Sequence, residues 1–263
     1  MLPGPYFAEM KPPFLPLKVG STDSGVKRVQ EWLTLHGFAT GIDGDFGPAT
    51  RDALKAFQTA QGLPVTGEVD LACWEALVAP LVRAEAPLPP SAGTFGQGVL
   101  AVAGAWLANK AREVGGDNRG PWVRQCGRGI DQSKVGFFPW CQVYGSHVWI
   151  RASRELGLPL PFDLVDGNGV VSAYVPWVVN QARKASKFIV GAGMGRVAPG
   201  SMFFVPGNID GQQSHIHVGL VVSDDGDVIQ TNEGNTNSAG GSNGYEVARR
   251  FRRKANLDFG LLS

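Results

Sequence analysis

Cysteine is scarce in this chain, three residues in 263. An odd, sparse set builds no disulfide framework, and no C-x-x-C pair offers half of a zinc site, so the thiols are expected to be reduced, as after synthesis in a cytoplasm. Charge of one sign is also lacking. The formal net charge is +1, which gives no global field to draw in nucleic acid or an anionic membrane. No apolar run approaches the length of a membrane span. The stretch Met1 to Gly20 has no basic start followed by an apolar core, so no signal peptide is expected. Its prolines, Pro3, Pro5, Pro12, Pro13 and Pro16, suit an extended leader. What is present is ordinary for a soluble globular protein: 43% hydrophobic and 18% charged residues, in a length that allows one large domain or two smaller ones.

Residues 19–82 read as a small domain of three short helices. Ser24 can cap the first, which turns Val26, Val29, Trp32 and Leu33 inward and ends near Gly37. Pro48 opens the second after Gly47, with Ala53, Leu54 and Phe57 on one face and a stop at Gly62. Asp70 can cap the third, whose apolar stripe is Trp74, Leu77 and Leu81. Glycine-punctuated turns separate them, and the aromatic core is enough for such a unit to fold alone.

The motifs Gly25-x-x-x-Val29-Gln30-x-x-Leu33, Asp43-Gly44-x-Phe46-Gly47-x-x-Thr50, Phe57-Gln58-x-x-x-Gly62-Leu63 and Gly67-x-Val69-Asp70-x-x-x-Trp74 cover nearly the whole segment. Together they closely resemble the three-helix peptidoglycan-binding domain. One departure is Cys73, where that family usually has threonine; it is read as packing. The resemblance implies a non-catalytic module that holds bacterial cell wall. Asp43, Asp45 and Phe46, on the loop between helices, are its candidate contacts, with a tight turn plus a core aromatic as the structural alternative.

Residues 83–97 are small and proline-rich (Ala86-Pro87-Leu88-Pro89-Pro90-Ser91-Ala92-Gly93) and read as a semi-extended tether that does not pack. A tethered binding module raises the effective concentration of its neighbour at an insoluble substrate, a physical reason to expect a catalyst after it.

Residues 98–263 change character midway. Helical spacing runs from Val99 to Val114, from Cys141 to a stop at Gly157, and around Trp177, Val178 and Ala182. From Gly200 onward come strand-like runs: Met202 to Val205, His215 to Val222, Asp227 to Thr231 and Tyr245 to Phe251. Helices followed by strands point to an α+β domain with an antiparallel sheet. The arginines Arg249, Arg250, Arg252 and Arg253 read as the solvated face of a late strand.

Chemistry concentrates at Phe138-Pro139-Trp140-Cys141-Gln142. A loop with the breakers Gly127, Gly129 and Gly136 leads into it, and helix follows, so the thiol sits in a first turn where unpaired N–H groups favour an anion. The competing reading is a small buried hydrophobe. His217 lies inside a strand, and His215, two residues earlier, is expected on the same face. Glu233 and Asn235 follow the next strand. The order thiol, imidazole, then carboxylate or amide is the one papain-like hydrolases use, where the third group fixes the imidazole's tautomer.

Pro139-Trp140-Cys141, Pro199-Gly200-x-x-x-Phe204, His217-Val218-Gly219-Leu220-Val221 and Glu233-Gly234-Asn235 resemble the CHAP family, cysteine- and histidine-dependent amidohydrolases/peptidases of cell-wall lysis; Asp117-Asn118-Arg119-Gly120-Pro121 is similar to phage lysins of this type. The resemblance implies Cys141 as nucleophile, His217 as base, Glu233 or Asn235 as the orienting group, and no cofactor. Trp140, beside the thiol, is a candidate substrate contact; Gln142 and Gln125 are conceivable extra donors. Gln125-Cys126 imitates a family opening, but Gly127-Arg128-Gly129 after it does not start a helix. His147 and His36 are read as structural, as is His215. No acidic cluster near Cys141 suits calcium.

The expected architecture is therefore a small all-α three-helix peptidoglycan-binding module plus an α+β papain-like CHAP domain. The expected function is that of an endolysin cutting an amide bond in the wall peptide, as an N-acetylmuramoyl-L-alanine amidase or a peptide endopeptidase. Bacterial peptidoglycan is the partner, with no nucleic acid, no membrane insertion, no metal, and a monomeric state. Such a protein would accumulate in a host cytoplasm before release to the wall. Two rivals stand beside it. One is a zinc peptidase using His215-x-His217, which lacks an evident third ligand; the other is a non-catalytic wall-binding protein.

Overall fold

The structure is a computed structural model, and it describes residues 8–127, 138–191, 195–237 and 244–262. Gly129 and Gly136, expected in the loop before Cys141, lie outside the described residues, as do Pro3 and Pro5 of the leader. The first unit consists of α1 (Ser24–Leu35), α2 (Pro48–Ala60) and α3 (Leu71–Ala84). Asp23, not Ser24, caps α1: its carboxylate accepts from Val26 N at 2.9 Å, because the aspartate is the residue with extended backbone just outside the helix. Asp70 caps α3 through Cys73 N at 2.8 Å.

Two buried glutamines hold the loops between these helices. Gln30 Nε2 donates to Asp43 Oδ1, Asp45 O and Thr50 Oγ1, and its Oε1 accepts from Asp43 N and Gly44 N. Gln58 does the same one helix later, donating to Thr66 Oγ1 and Glu68 O while accepting from Gly67 N. A buried amide with its donors and acceptor engaged fixes a turn that apolar packing alone would leave ambiguous. The leader docks on this unit. Leu17 pairs with Val69 through two backbone hydrogen bonds, and Trp74 Nε1 donates to Met10 O at 2.8 Å.

The second unit begins with α4 (Phe95–Ala108), closed at its start by a capping box between Thr94 and Gln97. The helix ends at Ala108, well before the expected Val114. A short α5 (Pro121–Cys126), then α6 (Cys141–Leu156) and α7 (Val175–Lys184) follow. Gly157 at φ +66° terminates α6 in the left-handed region. The strands β1 (Phe188–Val190), β2 (Met202–Ile209), β3 (Gln212–Asp224), β4 (Val228–Thr236), β5 (Glu246–Arg253) and β6 (Asp258–Gly260) form, among the described residues, one six-stranded sheet ordered β1-β6-β2-β3-β4-β5. Every pairing in it is antiparallel. Helix α6 packs on β3 and β4 and against α4. Gly234 permits that approach, since a Cβ there would lie 2.7 Å from the Tyr144 ring.

The expected tether between the units packs instead. Glu85 accepts from Trp106 Nε1 at 3.0 Å and pairs with His147 Nε2 at 2.9 Å. Arg151 of α6 donates to the carbonyls of Ala84 and Ala86, and Leu88 N donates to Glu155. Proline-rich composition predicts an extended path, but the segment turns between Pro89 and Ala92, and what composition hides is that its carbonyls meet a buried guanidinium. Trp32, Trp122 and Trp106 continue one apolar core across both units, with ring centroids 6.1 Å and 5.2 Å apart. Arg124 of α5 adds a double clamp, to Glu9 at 2.8 Å and Glu31 at 2.6 Å.

Candidate active site

Cys141 is the first residue of α6, and Trp140, just before it, offers no side-chain cap. The helix start therefore presents backbone N–H groups outside the helical ladder, at a cysteine that is 2% exposed. His217 stands on β3, 1% exposed, with Nε2 3.0 Å from Glu233 Oε2 on β4. The other ring nitrogen, Nδ1, is buried without a conventional hydrogen bond, and the Cys141 sulfur is the neighbour that acts on the ring.

Electrostatics follow from this chain of contacts. Burial alone would depress the His217 pKa; the charge and hydrogen-bonding capacity of Cys141, then Glu233, overturn that and raise it to about 9. Burial would likewise raise Glu233, but Arg252 and His217 win and pull it down to about 2. Glu233 is thus a permanent carboxylate in the interior. Arg252 grips both its oxygens, Nε to Oε1 and Nη2 to Oε2, each at 2.6 Å, and Thr231 Oγ1 donates to Oε1. Gly219 makes room for the pair: a Cβ there would meet Phe203 at 2.6 Å and Glu233 Cγ at 2.8 Å.

Sequence reading left Glu233 and Asn235 as alternatives. The imidazole's partner is Glu233; Asn235 is buried at φ +54° and makes no hydrogen bond to His217 among the described residues. Arg252 was missed, read as part of a solvated arginine face. The register of β5 gives it away only once known, because Arg252 pairs with the buried Ile229 and its guanidinium lies 5.4 Å from the Phe203 ring. Arg249 and Arg250 engage Gln230 and Thr236.

His215 does not share a face with His217. The β2–β3 register shifts between Val205 and Pro206, so Val205 faces His217 while Pro206 faces His215, and Ile216 is the extra residue. His215 consequently meets Phe188 and Phe204, whereas His217 meets Phe203. Alternation along a strand fails at a bulge, and nothing in the residue types marks this one.

Two expected substrate contacts are corrected. Trp140 is wholly buried and donates from Nε1 to Glu113 at 2.6 Å; Phe46 is wholly buried in the helical core. Each ring is spent on packing. Asp43 and Asp45 stay exposed on their loop, with Asp43 Oδ1 accepting from Gln30 and from Asp45 N.

The helical unit with this loop can be compared with known families. The family model "Putative peptidoglycan binding domain" matches residues 22–77. Those residues are a peptidoglycan-binding domain. Its helices and glutamine-clamped loops are the ones described above, and the match supports association with cell-wall peptidoglycan. Among curated proteins, leucine-rich repeat serine/threonine-protein kinase 1 of Caenorhabditis elegans is similar at 25% identity over 154 residues, which is 57% of this chain but 6% of that protein. The chain thus spans a small fraction of that relative's length. No solved structure matches.

The other cysteines, histidines and glutamines singled out in the sequence have contacts of their own. Cys126 ends α5 and its thiol donates to Val123 O. Cys73, within the domain, is pushed up to about 11 by burial and then by Asp70. His36 Nε2 meets Leu77 O at 2.8 Å, and His147 is held by Glu85. Gln142 Nε2 donates to Ser146 Oγ at 2.9 Å, and Gln125 is buried in α5. No group of three or more His, Cys, Asp and Glu is placed to hold a metal among the described residues, and the two histidines of the His215-x-His217 pair are each committed to a carboxylate. No helix among them is long and apolar enough to cross a membrane.

Proposed function

We propose that the chain is a peptidoglycan hydrolase in which the peptidoglycan-binding domain holds the wall and a papain-like CHAP domain cuts it, as a lysin does. The observation that carries the reading is the buried His217–Glu233–Arg252 hydrogen-bond chain, with Cys141 as the group that acts electrostatically on the imidazole. Raising the imidazole to about 9 favours its protonated form beside the sulfur, which is the charge distribution a thiolate nucleophile needs.

In this mechanism the Cys141 thiolate attacks a peptide carbonyl, forming a C–S bond and pushing the carbonyl electrons onto oxygen. The N–H groups at the start of α6 face that developing oxyanion. His217 then gives its proton to the departing amine as the C–N bond breaks. Water, deprotonated by the same imidazole, adds to the acyl carbon, the C–S bond breaks, and the acyl group leaves as the acid with the thiolate and imidazolium restored. Glu233 keeps Nε2 protonated and the ring oriented, which leaves Nδ1 as the nitrogen to exchange a proton with the sulfur; Arg252 and Thr231 keep Glu233 ionised. The bond cut is either the N-acetylmuramoyl-L-alanine amide or a peptide amide further along.

The test is clearance of purified cell walls by the intact chain and by Cys141→Ala. Loss of clearance with retained wall binding is expected, and mass spectrometry of the digest identifies the amine released. Undiminished clearance by Cys141→Ala would sink the proposal, and wall binding without clearance by the intact chain would favour a non-catalytic binding protein.

A further inference from the structure

Between α7 and the start of β3 lies a cavity of about 640 Å³, on the side of the sheet that His215 faces and His217 does not. Its lining is polar: Asn180, Arg183, Gln213, Ser214, His215 and Asp258 contribute to it. The volume falls within the range of small-ligand pockets. Two of these side chains are arranged as recognition groups. His215 is 6% exposed, and its Nε2 is 2.8 Å from Asp258 Oδ2. Nε2 faces the carboxylate and donates its proton to it, so whenever the ring carries a single proton Nδ1 is the acceptor. Nδ1 has no hydrogen-bond partner among the described residues, yet it is not among the buried orphan atoms, which leaves it open to the cavity.

Arg183 supplies the opposite polarity. Its Cζ lies 4.5 Å from the centroid of Phe188, whose ring meets His215 edge-on at 5.8 Å, so the phenyl group touches both lining side chains from behind. Among the described residues Arg183 has no carboxylate partner. Asp258, the acidic residue of the lining, is taken up by His215 and by Gly191 N. The cavity therefore offers a flat cation with free donors beside an imidazole whose orientation is fixed by Asp258.

We infer that this cavity is a second, non-catalytic binding site for the carboxy-terminal residue of a peptide, with its carboxylate on Arg183 and its amide N–H on Nδ1 of His215. A carboxylate matches the guanidinium fork, and the N–H of the same residue is the donor an Asp-fixed imidazole is built to accept. A free peptide terminus in the wall and a terminus of an ordinary cellular peptide share this chemistry.

The experiment is calorimetric titration of the full chain carrying Cys141→Ala, which needs no turnover, so a chain that proves not to be a hydrolase still answers the question. The probes are a tripeptide ending in free D-alanine, its L-alanine isomer, its carboxamide, and a form N-methylated at the last amide. Expected are saturable binding of the free acid and a loss of about tenfold or more on amidation, the scale of a charge-assisted contact. N-methylation is expected to weaken binding as well. Arg183→Gln, an exposed position, should erase the difference between acid and amide. Preference for the D isomer assigns the wall as the source, and preference for the L isomer assigns cellular peptides. Equal binding of acid and amide by the parent chain, or no saturable binding of the free acid, overturns the proposal.

Discussion

Arg252 holds both carboxylate oxygens of Glu233 in a two-point grip, at 2.6 Å each, with Glu233 fully buried. An arginine from the fifth strand thereby decides the charge of a carboxylate on the fourth, and that carboxylate decides which way an imidazole on the third is turned. Arg252→Gln removes the grip and leaves a buried carboxylate short of charge. The expected cost is about 3 kcal/mol of stability, and the acid limb of wall clearance should move to higher pH as the Glu233 carboxyl rises toward its ordinary value. Denaturant titration and a pH profile of clearance read the two effects. An unshifted acid limb would count against Glu233 as the orienting group.

Stability itself should depend on pH at both ends. His217 is raised from 6.5 to about 9, so its contribution is complete below 6.5 and is lost as pH climbs through about 9. Glu233 is lowered from 4.5 to about 2, so its contribution is complete above 4.5 and is lost as pH falls through about 2. Melting temperature should therefore be highest between these windows, and His217→Gln should flatten the alkaline limb. An alkaline limb unchanged by that substitution would refute the coupling.

Two glycine substitutions separate room for the site from general tolerance. Gly219→Ala forces a methyl group against Phe203 and Glu233 and is expected to cost about 1–3 kcal/mol, with clearance lost although position 219 carries no reacting group. Gly104→Ala, in α4 with nothing within 4 Å of the added carbon, should stabilise by about 0.5–1 kcal/mol and leave clearance alone. Thermal melts of the two variants check the opposite signs.

The segment expected to be a tether should resist proteases. Glu85→Gln weakens the contacts with His147 and Trp106, and Arg151→Ala strips the donors from the carbonyls of Ala84 and Ala86. Limited proteolysis should find residues 83–97 protected in the parent chain and cleaved in Arg151→Ala. Cleavage at equal rates would show that the packing does not hold in solution.

Much of this was legible from residue types. Helix caps, glycine stops and the change from helical to alternating spacing located most of the elements, since each is a local preference written within a few residues. The peptidoglycan-binding domain was legible because Gln30 and Gln58, each with the glycine of the loop it clamps, recur at fixed spacings within the motifs. The roles of Trp140 and Phe46 were not, because an aromatic beside a functional residue reads the same whether it points at a substrate or into the core. The bulge at Ile216 was also silent: it depends on register against Pro206, a partner ten positions away across a turn. Arg252 was hidden for a similar reason, since its partner is fixed by strand pairing and a run of arginines looks solvent-facing.

The shared row of tryptophans at 32, 122 and 106 has a consequence for reach. If the proposed function holds, a leash would let the catalytic unit sweep whatever its length permits, whereas a welded joint holds the distance from anchor to nucleophile constant. The spacing between the exposed Asp43–Asp45 loop and the sulfur at position 141 is then a fixed gauge, and lengthening the proline-rich strap would unseat the joint before it widened the sweep.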